Sequence, residues 1–121
     1  MHNSGNGANI RNFIFVDDTV RAVETILIKG EVANVYNIGG CDERTVLEIA
    51  KLIICRLRPD MNEKWLDFLE FVPDRKFNDI RYSVNSNKLQ ALGWKQEMPF
   101  DEGFETTVKW YLDNPNHFHT A

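Results

Sequence analysis

Apolar residues recur at helical spacing in three stretches of this chain. In the clearest, Val46, Ile49, Ala50, Ile53, Ile54 and Leu57 fall at offsets 0, 3, 4, 7, 8 and 11, one face of a helix with 3.6 residues per turn. Thr45-Val-Leu-Glu48 opens it as a capping box and Pro59 closes it, which predicts a helix over Thr45–Leu57. A second helix is predicted over Asp18–Lys29. Asp17 and Asp18 serve as N-cap and first-turn charge, Gly30 as a left-handed terminator, and Val20, Val23 and Leu27 as the inward stripe, with Ala22 and Ile26 beside it. The third, Asp101–Asp113, is capped by Asp101, carries Phe104, Val108, Tyr111 and Leu112 on one face, and stops at Pro115.

Extended segments lie between them. Arg11–Val16 is rich in aromatic and β-branched residues and reads as a short strand. Val35–Gly40 reads as a second, with Asn37 an amide that must find partners if it is buried. A strand, a three-turn helix and a strand make a βαβ unit, expected to be parallel and right-handed. Asn3 to Asn9 is turn-forming, and Gly5 and Gly7 lack the third glycine and the preceding strand of a dinucleotide fingerprint. Pro59 is followed by a polar segment with a helical turn around Trp65 and Leu66. Tyr82–Val84 is extended, and a short helix holds Leu89 and Leu92, capped by Asn85 or Ser86 and closed by Gly93.

The stretch Phe71–Tyr82 departs from both periods. It sets Arg75, Lys76 and Arg81 among Asp74, Asn78 and Asp79, a density of donors suited to gripping an anion, because arginine offers a planar fork to two oxygens at once. Composition restricts the rest. With 43% hydrophobic and 26% charged residues the chain can fold, and a net charge of -4 argues against a nucleic-acid partner, so any anion site is local. Cys41 and Cys55 are too far apart for a paired-cysteine site and read as free thiols. No apolar run suits a membrane span, and the chain is expected to be cytoplasmic. His2, His117 and His119 lie near the termini, too few for a metal site and with no nucleophile beside them, so no catalytic or metal residue is named. Arg11, Asn37, Arg75, Asn78 and Arg81 remain as residues able to converge on one diphosphate.

The order of these motifs carries a resemblance. Gly5-x-Gly7, Arg11-x-Phe13 and Asp17-Asp18 come first, followed by Tyr36-Asn-Ile-Gly-Gly40. Asp74-Arg-x-Phe-Asn-Asp-x-Arg-Tyr82, Leu92-Gly-Trp94 and Trp110-Tyr111 follow in turn. Together they resemble the C-terminal, substrate-binding portion of extended short-chain dehydrogenases acting on sugar nucleotides, most nearly the dTDP-glucose and UDP-glucose 4,6-dehydratases.

The resemblance implies an α/β, Rossmann-type fold of short strands with three main helices. It makes 11–114 a sugar-nucleotide-binding segment, while the turn-forming residues give a flexible entry loop at 1–10 and the stop at Pro115 a frayed tail at 115–121. Arg11 and Arg75 correspond to diphosphate-holding arginines, Asn37 to the asparagine of the binding strand and Asn78 to a ligand-loop position, with Arg81 in the same motif. Lys76 replaces the family's proline. The implied partner is dTDP-glucose or UDP-glucose, and the implied full enzyme is a homodimer. NAD would be bound by an N-terminal part, since the family's glycine-rich turn, Tyr-x-x-x-Lys pair and Thr-Asp-Glu group do not occur in these 121 residues. The chain by itself is expected to be inactive. A binding module without catalysis, and the same portion of an epimerase or decarboxylase, stand as alternatives.

Overall fold

The computed structural model describes residues 2–74 and 76–117. The chain forms two compact units, one of residues 1–12 and 43–83, the other of residues 13–42 and 84–121.

In the first unit, strand β1 (His2–Ser4) pairs in parallel with β4 (Glu70–Val72), His2 opposite Glu70 and Ser4 opposite Val72. The stretch predicted as a loop therefore holds a strand, and its turn begins at Gly5, where φ is 62°. Strand β2 (Ile10–Phe13) pairs with β3 (Asp42–Thr45). Helix α2 (Val46–Leu57) follows as predicted, its capping box complete: the Glu48 amide donates to Thr45 Oγ1 at 3.1 Å and the Thr45 amide to Glu48 Oε2 at 2.7 Å. Ala50 and Ile54 are its buried positions. Past Arg58, the segment Pro59–Phe68 packs against α2 as 3₁₀-helix broken by non-helical backbone at Met61 and Lys64, and Lys51 Nζ stands 5.5 Å from the Trp65 ring centre.

The cap gives a direct prediction. Thr45→Ala removes the acceptor for the Glu48 amide and should lower stability by about 1 kcal/mol in urea unfolding. The backbone N–H of Thr45, then its hydroxyl, hold the Glu48 carboxyl below its ordinary value. A depressed carboxyl stabilises the fold above its unfolded value, so the cap's ionic part is present at neutral pH and is lost as acidity titrates Glu48.

The second unit holds α1 (Val16–Lys29), a short helix α3 (Asn87–Gln90) packed on α1, and α4 (Phe100–Asp113). Ala22, Leu89 and Trp94 are the core, with Ile14, Ile26, Ile38 and Leu92 packed around them. Several expectations change here. The N-cap of α1 is Phe15 and that of α4 is Pro99, so Asp17, Asp18 and Asp101 lie within first turns and do not cap. Gly30 ends α1 in extended conformation at φ -72°, with its amide on the Ile26 carbonyl, whereas Gly93 is the left-handed position at φ 96°.

The predicted stripe of α1 faces outward: Val20, Val23 and Leu27 are 54%, 45% and 79% exposed. Asp18, Ala22 and Ile26, at i, i+4 and i+8, turn inward instead. The reason is polar. Asp18 is fully buried and accepts the amides of Glu97 at 2.8 Å and Met98 at 3.0 Å, along with Arg21 Nη2, while its carbonyl receives Trp94 Nε1 at 3.0 Å. Those donors fix the rotation of the helix, because a buried N–H left without an acceptor costs more than the exposure of a valine.

The βαβ unit does not form among the described residues. Val35–Gly40 is extended but makes no strand, because a strand needs a neighbouring ladder for its amides and carbonyls, and none in the described chain supplies one. The Gly39 carbonyl instead accepts Ser86 Oγ at 3.2 Å. Close packing explains the paired glycines: a Cβ at Gly39 would lie 2.6 Å from Val84 Cγ1, and one at Gly40 2.6 Å from Gln96 Oε1.

Candidate functional site

The first unit gathers a polar cluster where the loop after β4 runs back beside β2. Two backbone contacts hold them together: the Ile10 amide donates to the Ile80 carbonyl at 2.7 Å, and Ile10 forms a parallel bridge with Arg81. Buried Asn9 adds a third tie, its Nδ2 donating to the Asp79 carbonyl at 3.2 Å. The next residue along, Arg11, therefore projects from a braced backbone.

Its guanidinium is held on several sides. Nη1 donates to the carbonyls of Ile10 at 2.7 Å and Asp79 at 3.1 Å, Nη2 donates to Asn78 Oδ1 at 3.1 Å, and Cζ lies 4.7 Å from the centre of the Tyr82 ring. Asn78 in turn donates through Nδ2 to Asp74 Oδ1 at 2.8 Å. A guanidinium fixed this way loses little rotamer freedom when its remaining N–H groups meet an anion.

Arg81 is placed differently. It makes a forked pair with Glu43, Nη2 to Oε2 at 2.7 Å and Nε to both carboxylate oxygens at 3.1 Å, and the hydrogen bond and charge of Glu43 raise its already high pKa further. That fork ties the loop after β4 to β3. Asn37 belongs to the other unit and is exposed on the extended segment, not enclosed as a buried strand amide would be. Beside it Tyr36 is fixed, its ring 4.7 Å below Lys88 Nζ and its hydroxyl accepting the Glu31 amide at 3.0 Å. Arg75 lies outside the described residues.

Asn9, Glu43 and Tyr82 were not among the predicted site residues. Asn9 was legible as a turn former and Tyr82 as the last residue of the Asp74–Tyr82 motif, but neither as a neighbour of the Arg11 cluster, since the contacts span about 70 positions.

NAD, which the resemblance implies, does not fit the glycine pair at the start of the chain. A pyrophosphate cradle needs a glycine turn opening a helix, with amides facing the anion. Here Gly5 and Gly7 lead into strand β2, and a Cβ at Gly5 would stand 2.9 Å from Asp74 Oδ2, so that face already meets a carboxylate. No group of three or more His, Cys, Asp or Glu that could hold a metal occurs among the described residues. In the second unit an open crevice of about 560 Å³ runs between Ile14–Asp17 and Thr106, Thr107, Trp110 and Tyr111.

The family model described as GDP-mannose 4,6 dehydratase matches residues 1–107. The chain belongs to that family. Among family members, mouse dTDP-D-glucose 4,6-dehydratase is 38% identical over 118 residues, which cover 97% of this chain and 33% of the mouse protein. The crystal structure of dTDP-glucose 4,6-dehydratase from Bacillus anthracis, in complex with NAD, aligns with a TM-score of 0.83 at 34% identity, covering 98% of this chain and 36% of that one. UDP-glucose 4-epimerase from Thermotoga maritima, solved with UDP-glucose, aligns at 0.75 and 26% identity over 95% of this chain and 35% of that one. The fold is thus that of the extended short-chain dehydrogenases, as the sequence motifs implied. The chain spans about a third of the length of the relatives it matches.

Proposed function

We propose that this chain is the sugar-nucleotide-binding portion of a nucleoside-diphosphate-glucose 4,6-dehydratase. It corresponds to the C-terminal part of that enzyme, which converts NDP-glucose to NDP-4-keto-6-deoxyglucose in a cytoplasmic homodimer. NAD and the groups that move hydride and protons lie on polypeptide outside these 121 residues. The observation that carries the reading is Arg11, aimed by Asn78, Asp79 and Tyr82 in a family whose members act on nucleotide sugars. Its role is electrostatic and positional: the fork neutralises diphosphate oxygens and fixes the sugar's place, with Asn78 beside it. The bared apolar stripe of α1 agrees with this, since a surface of that kind is normally covered by further polypeptide.

Calorimetric titration of the chain with dTDP-glucose and with UDP-glucose tests the proposal. Saturable binding of either is expected, and the stronger of the two names the base. A folded chain, with dispersed amide signals, that binds neither overturns it.

A further inference from the structure

Asp74 has no part in the function proposed above, yet it sits behind the residue that presents Arg11. From its geometry we infer that Asp74 is a positioning residue, which orients the Asn78 amide and through it the Arg11 guanidinium. This inference rests on the sugar-nucleotide reading and deepens it.

A carboxamide has two ends of opposite polarity, and its neighbours decide which way it turns. Asn78 lies between a cation and a carboxylate. Its Nδ2 donates to Asp74 Oδ1 at 2.8 Å and its Oδ1 accepts from Arg11 Nη2 at 3.1 Å. Turned over, it would press an NH₂ against a guanidinium and an oxygen against a carboxylate, two repulsive contacts in place of two bonds. Asp74 and Arg11 set the orientation together, the carboxylate holding the NH₂ end of the amide and the guanidinium its oxygen. Exposed Asp74 has its own support: its side chain packs on Gly5, where a Cβ would lie 2.9 Å from Oδ2 and 3.2 Å from Cβ of Asp74, and where φ of 62° already favours glycine. The line of influence runs from Gly5 to Asp74, Asn78 and Arg11, with the charge of Asp74 one residue removed from the cation it steers. Asp74 thus sharpens a diphosphate site without placing a carboxylate on the guanidinium itself, where it would compete with the ligand.

The test compares the unaltered chain with Asp74→Ala and Asp74→Asn. Asparagine keeps a carbonyl able to accept from Asn78, so it separates positioning from charge. In the ligand-free chain, NMR of the Asn78 carboxamide and the Arg11 Nε–H should show both signals displaced and broadened in Asp74→Ala and restored in Asp74→Asn. Thymidine diphosphate should then bind about tenfold more weakly to Asp74→Ala and within about twofold of the original for Asp74→Asn, a loss of the size expected for one weakened hydrogen bond to a charged group. Unchanged Arg11 and Asn78 signals in Asp74→Ala overturn the inference, as does an Asp74→Asn variant of normal melting temperature that stays as weak as alanine. Failure of the unaltered chain to bind thymidine diphosphate counts against the function proposed above and leaves the guanidinium signal to decide the role of Asp74 by itself.

Discussion

Asp18→Ala should destabilise the second unit by about 3 kcal/mol, the largest effect expected of any single substitution away from the core. The carboxylate is fully buried and accepts two backbone amides, those of Glu97 and Met98. Alanine leaves both part-buried amides without their carboxylate acceptor, and each such loss costs about 1–3 kcal/mol. Arg21 adds less to the loss, because its side chain is 39% exposed and can turn to solvent or stay near Glu97, 3.3 Å away. Asp18→Asn keeps one oxygen but sets an NH₂ against an amide donor, and should cost about 2 kcal/mol. Urea unfolding followed by circular dichroism measures both, and thermal unfolding should show alanine melting roughly 10 °C lower. A loss under about 1 kcal/mol for Asp18→Ala would mean that the segment after Trp94 finds other acceptors and that the rotation of α1 is set by packing alone.

Arg11→Ala should weaken binding of a nucleoside diphosphate by about 10- to 100-fold, the range for losing charge-assisted hydrogen bonds of 1.5–3 kcal/mol. Stability should change little by comparison, since the carbonyls of Ile10 and Asp79 that it now serves lie at a half-exposed surface where water can replace it. Arg11→Lys is the informative companion. Lysine keeps the charge but cannot bridge Asn78 and the Asp79 carbonyl while offering a planar fork, so it should recover only part of the affinity. Full recovery would show that charge alone is recognised. The measurement is calorimetry at two salt concentrations, in which the alanine variant should also show a shallower salt dependence.

How far these features could be read in advance follows from the range over which each is determined. Helix α2 was legible from end to end because its signals are local: the box closes between Thr45 and Glu48, and the apolar spacing lies within four turns. The rotation of α1 was not. Asp18 at a helix start looks like a cap, and only the fold reveals that the amides it serves belong to residues 97 and 98. The segment Val35–Gly40 has a strand's composition, but composition supplies no partner edge. Arg11 and Asn78 were each singled out from a separate motif, and the structure bonds them directly at 3.1 Å. Asn9 and the ring contact of Tyr82 were not singled out because they work through a distant carbonyl and the face of a ring, neither of which marks the sequence. Glu43 escaped because an acid opposite a loop arginine 38 positions away leaves no pattern.

The tight approach of Gly39 to Val84 limits which mutational routes are open to this chain. Since a methyl at position 39 would lie 2.6 Å from a valine methyl, the glycine cannot be replaced until residue 84 has first become smaller. The two sites should therefore change in a fixed order: Val84 Cβ itself would lie 2.8 Å away, so Val84→Ala leaves Gly39→Ala harmful whereas Val84→Gly makes room for it, a difference that double-mutant cycles would register as coupling.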